Sequence, residues 1–164
     1  MRYILTILTF SLLFLGCAEK NAFTKFNMQE DQELSAASLQ GAKVKMGENI
    51  DGIISAIYLN KVYPNVYTGN EYFYVYLYLK NGQEMYNPNT LDDIKLSMKL
   101  NGKLPVKIKQ LDAKNKFSHL AFVKSPWRRY FLVAFEQTST STINLVLETD
   151  QSSSDALTYQ KDEE

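Results

Sequence analysis

Hydrophobic and polar positions alternate with period two through much of the chain beyond residue 50. That alternation predicts strands rather than helices. The strongest instance runs from Glu71 to Lys80. Tyr72, Tyr74, Tyr76 and Tyr78 fall on one side, and Phe73, Val75, Leu77 and Leu79 on the other, because successive side chains leave a strand on opposite faces. Asn81-Gly82 follows as a turn signal. Upstream, Ile53, Ser55, Ile57 and Leu59 interleave with Ile54, Ala56 and Tyr58, which predicts a strand buried on both faces. Pro64, Asn65, Gly69 and Asn70 mark the loop between these two strands. Three more strands are predicted downstream. Phe117–Val123 sets Phe117, His119, Ala121 and Val123 against Leu120 and Phe122. Arg129–Glu136 has Phe131, Val133 and Phe135 on its core face, and Ser141–Glu148 has Ile143, Leu145 and Leu147. Ala156–Gln160 is a candidate edge strand.

The segment Ile94–Leu111 reads as a hairpin about Asn101-Gly102. A two-residue loop sets Met98 opposite Pro105 and Leu96 opposite Lys107. A three-residue loop, Asn101-Gly102-Lys103, sets Leu100 with Leu104, Met98 with Val106 and Leu96 with Ile108. A slip of one residue turns a whole face over, so the pattern favours the three-residue loop with a bulge.

Short strands separated by turn signals, with no long helical period among them, predict an all-β fold. The expected form is an immunoglobulin-like β-sandwich of about seven to eight strands, spanning 42–160. A small β-barrel is the alternative. Antibody domains carry a cysteine pair that this chain lacks, so the expectation concerns architecture alone.

The first 41 residues differ in kind. Arg2 precedes an apolar run from Ile4 to Leu15, 12 residues long and too short for a spanning helix, which needs roughly 17–25. Gly16 and then Cys17, the one cysteine of the chain, close the run. A charged start, an apolar stretch and a small residue before the cut are the parts of an export signal. Phe14-Leu15-Gly16-Cys17 resembles the lipobox of bacterial lipoproteins, with Phe14 where that family usually has Leu. The resemblance covers about the first 20 residues. It implies removal of residues 1–16, a diacylglycerol on the Cys17 thiol and often an acyl chain such as palmitate on the new amino terminus. Two or more chains give stable anchoring where one does not. Ala18, not Asp, follows the cysteine, which implies the outer membrane, facing the periplasm, where a host has two membranes. Residues 17–41 are then a polar tether, with a short helical turn about Glu30–Ser38, and 161–164 a solvated acidic tail.

Without residues 1–16 the chain has 148 residues, 17 of them basic and 18 acidic. That near-neutral balance gives no general attraction to nucleic acid. With Cys17 lipidated there is no thiol for a disulfide, so packing must hold the domain. Aromatic residues make up 13% of the chain and suit half-buried strands.

No catalytic set emerges. His119 is the one histidine, and its neighbour Ser118 would face the other way along a strand. Zinc would need carboxylates for most of its ligands. Asp92-Asp93 and Glu48–Asp51 lack the spacing of a calcium loop. No phosphate-binding glycine loop occurs either. The expectation is therefore a protein that is not an enzyme, with no metal site and no cofactor. The candidate binding face is the tyrosine ladder, Tyr72, Tyr74, Tyr76 and Tyr78, together with Trp127, which stands in Pro126-Trp127-Arg128-Arg129. Tyr joins apolar area to a hydroxyl, and Trp beside Arg is a combination common at interface hot spots. Lys95, Lys99, Lys107 and Lys109 form a wet hairpin face, with Lys95 opposite Lys109. The function expected is binding of another envelope protein. The alternatives are a glycan or cell-wall polymer, a structural role in an envelope complex, and an envelope hydrolase using His119.

Overall fold

A computed structural model describes residues 30–90, 94–121 and 125–161. Among the described residues the fold is all-β, with two short helices. In chain order the elements are α1 (Glu30–Ser38), β1 (Leu39–Met46), β2 (Asn49–Tyr58), α2 (Leu59–Val62), β3 (Asn70–Leu79), β4 (Leu96–Leu100), β5 (Lys107–Leu111), β6 (Arg129–Glu136), β7 (Thr142–Thr149), β8 (Ser153–Ser154) and β9 (Leu157–Gln160). Among the described residues no helix is long and apolar enough to cross a membrane.

The strands do not separate into two hydrogen-bonded sheets. One antiparallel path runs β4-β7-β8-β1-β2-β3-β6-β5, with β9 also on β7. The sheet curls, because β4 and β5 are its two edges yet only residues 101–106 join them. The inner face collects Ile54, Phe73, Val75, Leu77, Met98, Phe131, Val133, Ile143, Leu145 and Leu147 into one core. Every core face predicted for β3, β6 and β7 points inward.

The Asn101-Gly102 turn corrects the predicted hairpin. Leu100 and Lys103 exchange backbone hydrogen bonds at 2.9 Å around a two-residue loop. Asn101 has φ +47° and Gly102 φ +81°, which suits a type I′ turn. Pairing then stops, because Pro105 has no N–H to continue a ladder. β4 goes to β7 and β5 to β6. Lys95 and Lys109 are therefore not cross-strand neighbours. Leu96, Met98 and Leu100 are buried as the alternation predicted, but Ile94 and Val106 are exposed, and the partners of both strands are elsewhere.

The outer face of the sheet carries a second core. Ile57, Tyr74, Tyr76 and Tyr130 lie beneath Leu59, Val62, Phe117, Leu120 and Ala121. The strand predicted at Phe117–Val123 is not one: residues 116–120 form turns, and Phe122 and Val123 lie outside the described residues. Asn115 explains this. Its side-chain oxygen accepts from Phe117 N at 2.9 Å, and its own N–H donates to Ser118 Oγ at 2.8 Å. Such local bonds compete with a strand ladder.

The folded region also begins earlier than residue 42. Glu30, Asp31 and Glu33 in the first turn of α1 favour its N-terminus electrostatically. Ser35 Oγ then donates to Leu120 O at 2.9 Å, and Ser38 Oγ accepts from Tyr58 N at 3.1 Å. The helix thus packs on the outer face and runs directly into β1, where Leu39 to Gly41 already pair with β2. Residues 30–41, expected as part of a tether, belong to the folded domain.

Candidate functional site

The tyrosine ladder splits along its length. Tyr74 and Tyr76 are buried, Tyr72 is half-buried, and Tyr78 is 41% exposed. Tyr74 lies 5.1 Å from the Phe117 ring and nearly parallel to Tyr130. Burial raises the pKa of both Tyr74 and Tyr76, with hydrogen bonds from Asn115 and Ser55 respectively opposing it. A flat platform of four exposed rings is thereby corrected. Central rings of the ladder form a core layer, because α1, α2 and the 115–121 turns cover that half of the sheet.

The other half stays open. Tyr78 and Ile53 are cross-strand partners, and Ile53 is 48% exposed. Trp127, in the loop before β6, is 78% exposed. Ile53, Ser55, Tyr76, Tyr78, Trp127 and Arg128 line one shallow cleft of about 160 Å³. The Arg128 guanidinium sits 5.3 Å from the centre of the Tyr76 ring, a cation–π arrangement that holds the loop against the sheet. Lys43 of β1 pairs with Ile53 from the other side and is exposed. The result is an apolar patch of three large side chains, flanked by positive charge. Of the residues read from the sequence as a binding face, Tyr78 and Trp127 meet here. Arg128, read from the sequence as a charged neighbour of Trp127, joins them, and Ile53 was missed. Ile53 carried no signal, since its strand read as buried on both sides.

His119 has a different setting from the one its alternation predicted. Its Nε2 lies 2.8 Å from the Tyr63 hydroxyl and 3.1 Å from Asp31 Oδ2, and that hydroxyl also donates to Asp31 Oδ2 at 3.0 Å. Burial, then the bond to Asp31 and its charge, push the Tyr63 phenol well above its ordinary pKa. Ser118 Oγ is spent within its own turn, 2.8 Å from Asn115 N. The three side chains clasp α1 to the outer face, and Ser118 is not joined to them. Among the described residues no three His, Cys, Asp or Glu side chains gather in a way that could hold a metal. Cys17 lies outside the described residues, as do Asp92 and Asp93.

Comparison with protein-family models, with curated proteins and with solved structures finds no match. The site is therefore read from its own chemistry.

Proposed function

We propose that this chain is a lipid-anchored, non-catalytic binding domain of a bacterial cell envelope, held through Cys17 and docking another envelope protein. The observation that carries the docking is the exposure of Trp127 beside Tyr78 and Ile53. A large ring at the edge of an apolar patch, with a polar and basic border, has the composition of an interface hot spot. Lys43 and Arg128 on that border fit a partner whose apolar anchor is ringed by carboxylates. The anchoring rests on Phe14-Leu15-Gly16-Cys17 and on Cys17 being the one cysteine. Ala18 favours the outer membrane, on its periplasmic side, in a host with two membranes.

An immunoglobulin-like β-sandwich architecture belongs to the same proposal. β1 joins the β7 side only through Val44–Ser154 and Lys45–Ser153. The halves on either side of that narrow joint face each other across the inner core, as two layers of a sandwich would.

The test is a photo-crosslinking side chain at position 127 of the full chain, irradiated in the native envelope. The expected result is an adduct to one protein, absent when the crosslinker stands at exposed Val66. Cys17→Ser should release the chain from the membrane and remove the adduct. Adducts to lipid alone, or equal yields at both positions, would overturn the docking reading. Retention of Cys17→Ser in the membrane would overturn the anchor.

A further inference from the structure

Asn followed by Gly occurs twice in the chain, at Asn81-Gly82 and at Asn101-Gly102. Such a pair has a chemistry of its own. The Asn side-chain carbonyl carbon lies within reach of the next backbone nitrogen, and Gly sets no Cβ in the way of a close approach. The fold treats the two pairs differently.

Asn101 is held through its side chain and its backbone. Its Oδ1 accepts from Asn144 N at 2.9 Å, and its Nδ2 donates to Thr140 Oγ1 at 3.2 Å. Its own N–H donates to Asn144 O at 2.9 Å. The turn is closed by the Leu100–Lys103 bridge. The Asn101 amide can turn onto Gly102 N only when the tip of β4 parts from β7. Local opening of that kind is what hydrogen bonds suppress.

Asn81 is the opposite case. Asn81 and Gly82 are both exposed. Among the described residues the Asn81 side chain has no hydrogen-bond partner. Gly82 N lies beyond the β2–β3 pairing, whose last bond runs from Lys80 N to Asp51 O. A Cβ at Gly82 would meet nothing within 4 Å. The segment is nonetheless pinned on both sides. Leu79 pairs with Gly52. Gln83 O accepts from Arg129 Nη1, and Gln83 Nε2 donates to Asp150 Oδ1 at 3.0 Å. Gln83 N folds back onto Asn81 O at 2.8 Å, which makes Gly82 the middle of a three-residue turn.

We propose that Asn81 is a modification site, converting without an enzyme to aspartate and isoaspartate in the folded protein, while Asn101 is protected. Gly82 N attacks Asn81 Cγ. A new C–N bond forms, the bond from Cγ to the side-chain nitrogen breaks, and that nitrogen leaves as ammonia with the proton Gly82 N gives up. Water then opens the five-membered imide. Attack at the side-chain carbonyl gives aspartate, and attack at the backbone carbonyl gives isoaspartate. Either product puts a negative charge between Leu79 and Gln83, and isoaspartate also lengthens the main chain by one carbon. This does not rest on the docking reading.

The test incubates the full chain in mildly alkaline buffer and follows the peptides carrying Asn81 and Asn101 by mass spectrometry. An isoaspartate-specific methyltransferase is the second readout. The mass gain of amide-to-acid conversion should appear at Asn81 about tenfold or more faster than at Asn101, the factor that hydrogen bonds of ordinary strength impose on opening. In unfolding urea the two sites should convert at matching rates, since both are Asn-Gly. Gly82→Val crowds the attacking nitrogen with a branched side chain, while its Cβ meets no neighbour. It should remove most of the conversion at Asn81 and leave the unfolding midpoint unchanged. Equal rates at the two sites in the folded chain, a gap that persists in urea, or undiminished conversion at Asn81 in a folded Gly82→Val chain would each overturn the proposal. None of these outcomes alters what crosslinks at position 127.

Discussion

Lys161 Nζ stands 2.8 Å from Glu71 Oε1, so the residue that follows β9 is tied to the start of β3. Glu71 is almost wholly buried, while Lys161 keeps some contact with water. Burial alone would raise the Glu71 pKa. Hydrogen bonds from Lys161, Tyr58 and Thr138 outweigh it, with the Lys161 charge, and the net direction is down. A carboxylate with a lowered folded pKa gives stability that is present above its unfolded value and lost as pH falls through the folded one. Glu71→Gln should therefore cost about 2–4 kcal/mol at neutral pH, the lower end reflecting water access to Lys161. The variant should also lose part of the acid dependence below the ordinary value of 4.5. Urea midpoints measured from neutral pH down through this range check both. A variant with unchanged stability and an unchanged acid limb would show that the pair contributes nothing.

The two ends of the tyrosine ladder should respond differently to truncation. Tyr74 is 1% exposed and ringed by Phe117, Tyr76 and Tyr130. Tyr74→Ala should cost about 3–5 kcal/mol, as large aromatic truncations in a core do. Tyr78→Ser removes a ring already 41% exposed and should change stability by about 0.5 kcal/mol or less. Equilibrium denaturation of the two variants decides it. Equal effects would mean the ladder is not divided into a covered half and an open half.

The ladder shows what was legible in the sequence and what was not. Period two placed Phe73, Val75, Leu77 and Leu79 in the inner core, and the same rule placed the inner faces of β6 and β7. It could not say what covers the tyrosines. The cover comes from α1, which docks through Ser35 and Ser38, two small polar residues with no apolar stripe to mark them. It comes also from the 115–121 turns, where Asn115 overrides an alternating pattern. Edge pairing was equally hidden. Asn101-Gly102 marked a tight turn, but which strands flank β4 and β5 depends on contacts distant in sequence. Glu71 stood in plain sight as a lone charge entering an aromatic strand; its partner Lys161 lies 90 residues away.

Gly52 is required by close approach. A Cβ built there would fall 2.3 Å from Tyr78 O and 2.6 Å from a Leu79 methyl. The first of these is backbone and cannot rotate aside. Gly52→Ala must spread β2 from β3 at the point where Gly52 pairs with Leu79. Overpacking of this kind costs roughly 1–3 kcal/mol, and the rigid neighbour sets this case near the upper end. The check is the unfolding midpoint of Gly52→Ala beside that of Gly41→Ala, where the nearest atom is a Ser55 hydroxyl at 3.5 Å. Matching midpoints would contradict the close approach.

The position of α1 makes a prediction about where the domain starts. A chain beginning at residue 42 would lose Ser35 Oγ to Leu120 O and the Ser38 bonds to Tyr58. It would also lose the pairs Leu39–Ile57, Gln40–Ala56 and Gly41–Ser55. Ile57 and Tyr74, both buried, would lose part of their cover, and the Leu120 carbonyl would lose its buried donor. Unmade bonds to buried groups cost about 1–3 kcal/mol each, and a whole domain is stable by only about 5–15 kcal/mol. A chain beginning at residue 30 should unfold cooperatively. The chain beginning at 42 should bind a hydrophobic dye and unfold without a sharp transition, as a loosened core does. The comparison needs only dye fluorescence and a urea titration of the two purified chains. If the shorter chain unfolds as sharply and at the same midpoint, α1 and the first half of β1 are not part of the domain, and the covering assigned to them over Tyr74 is wrong.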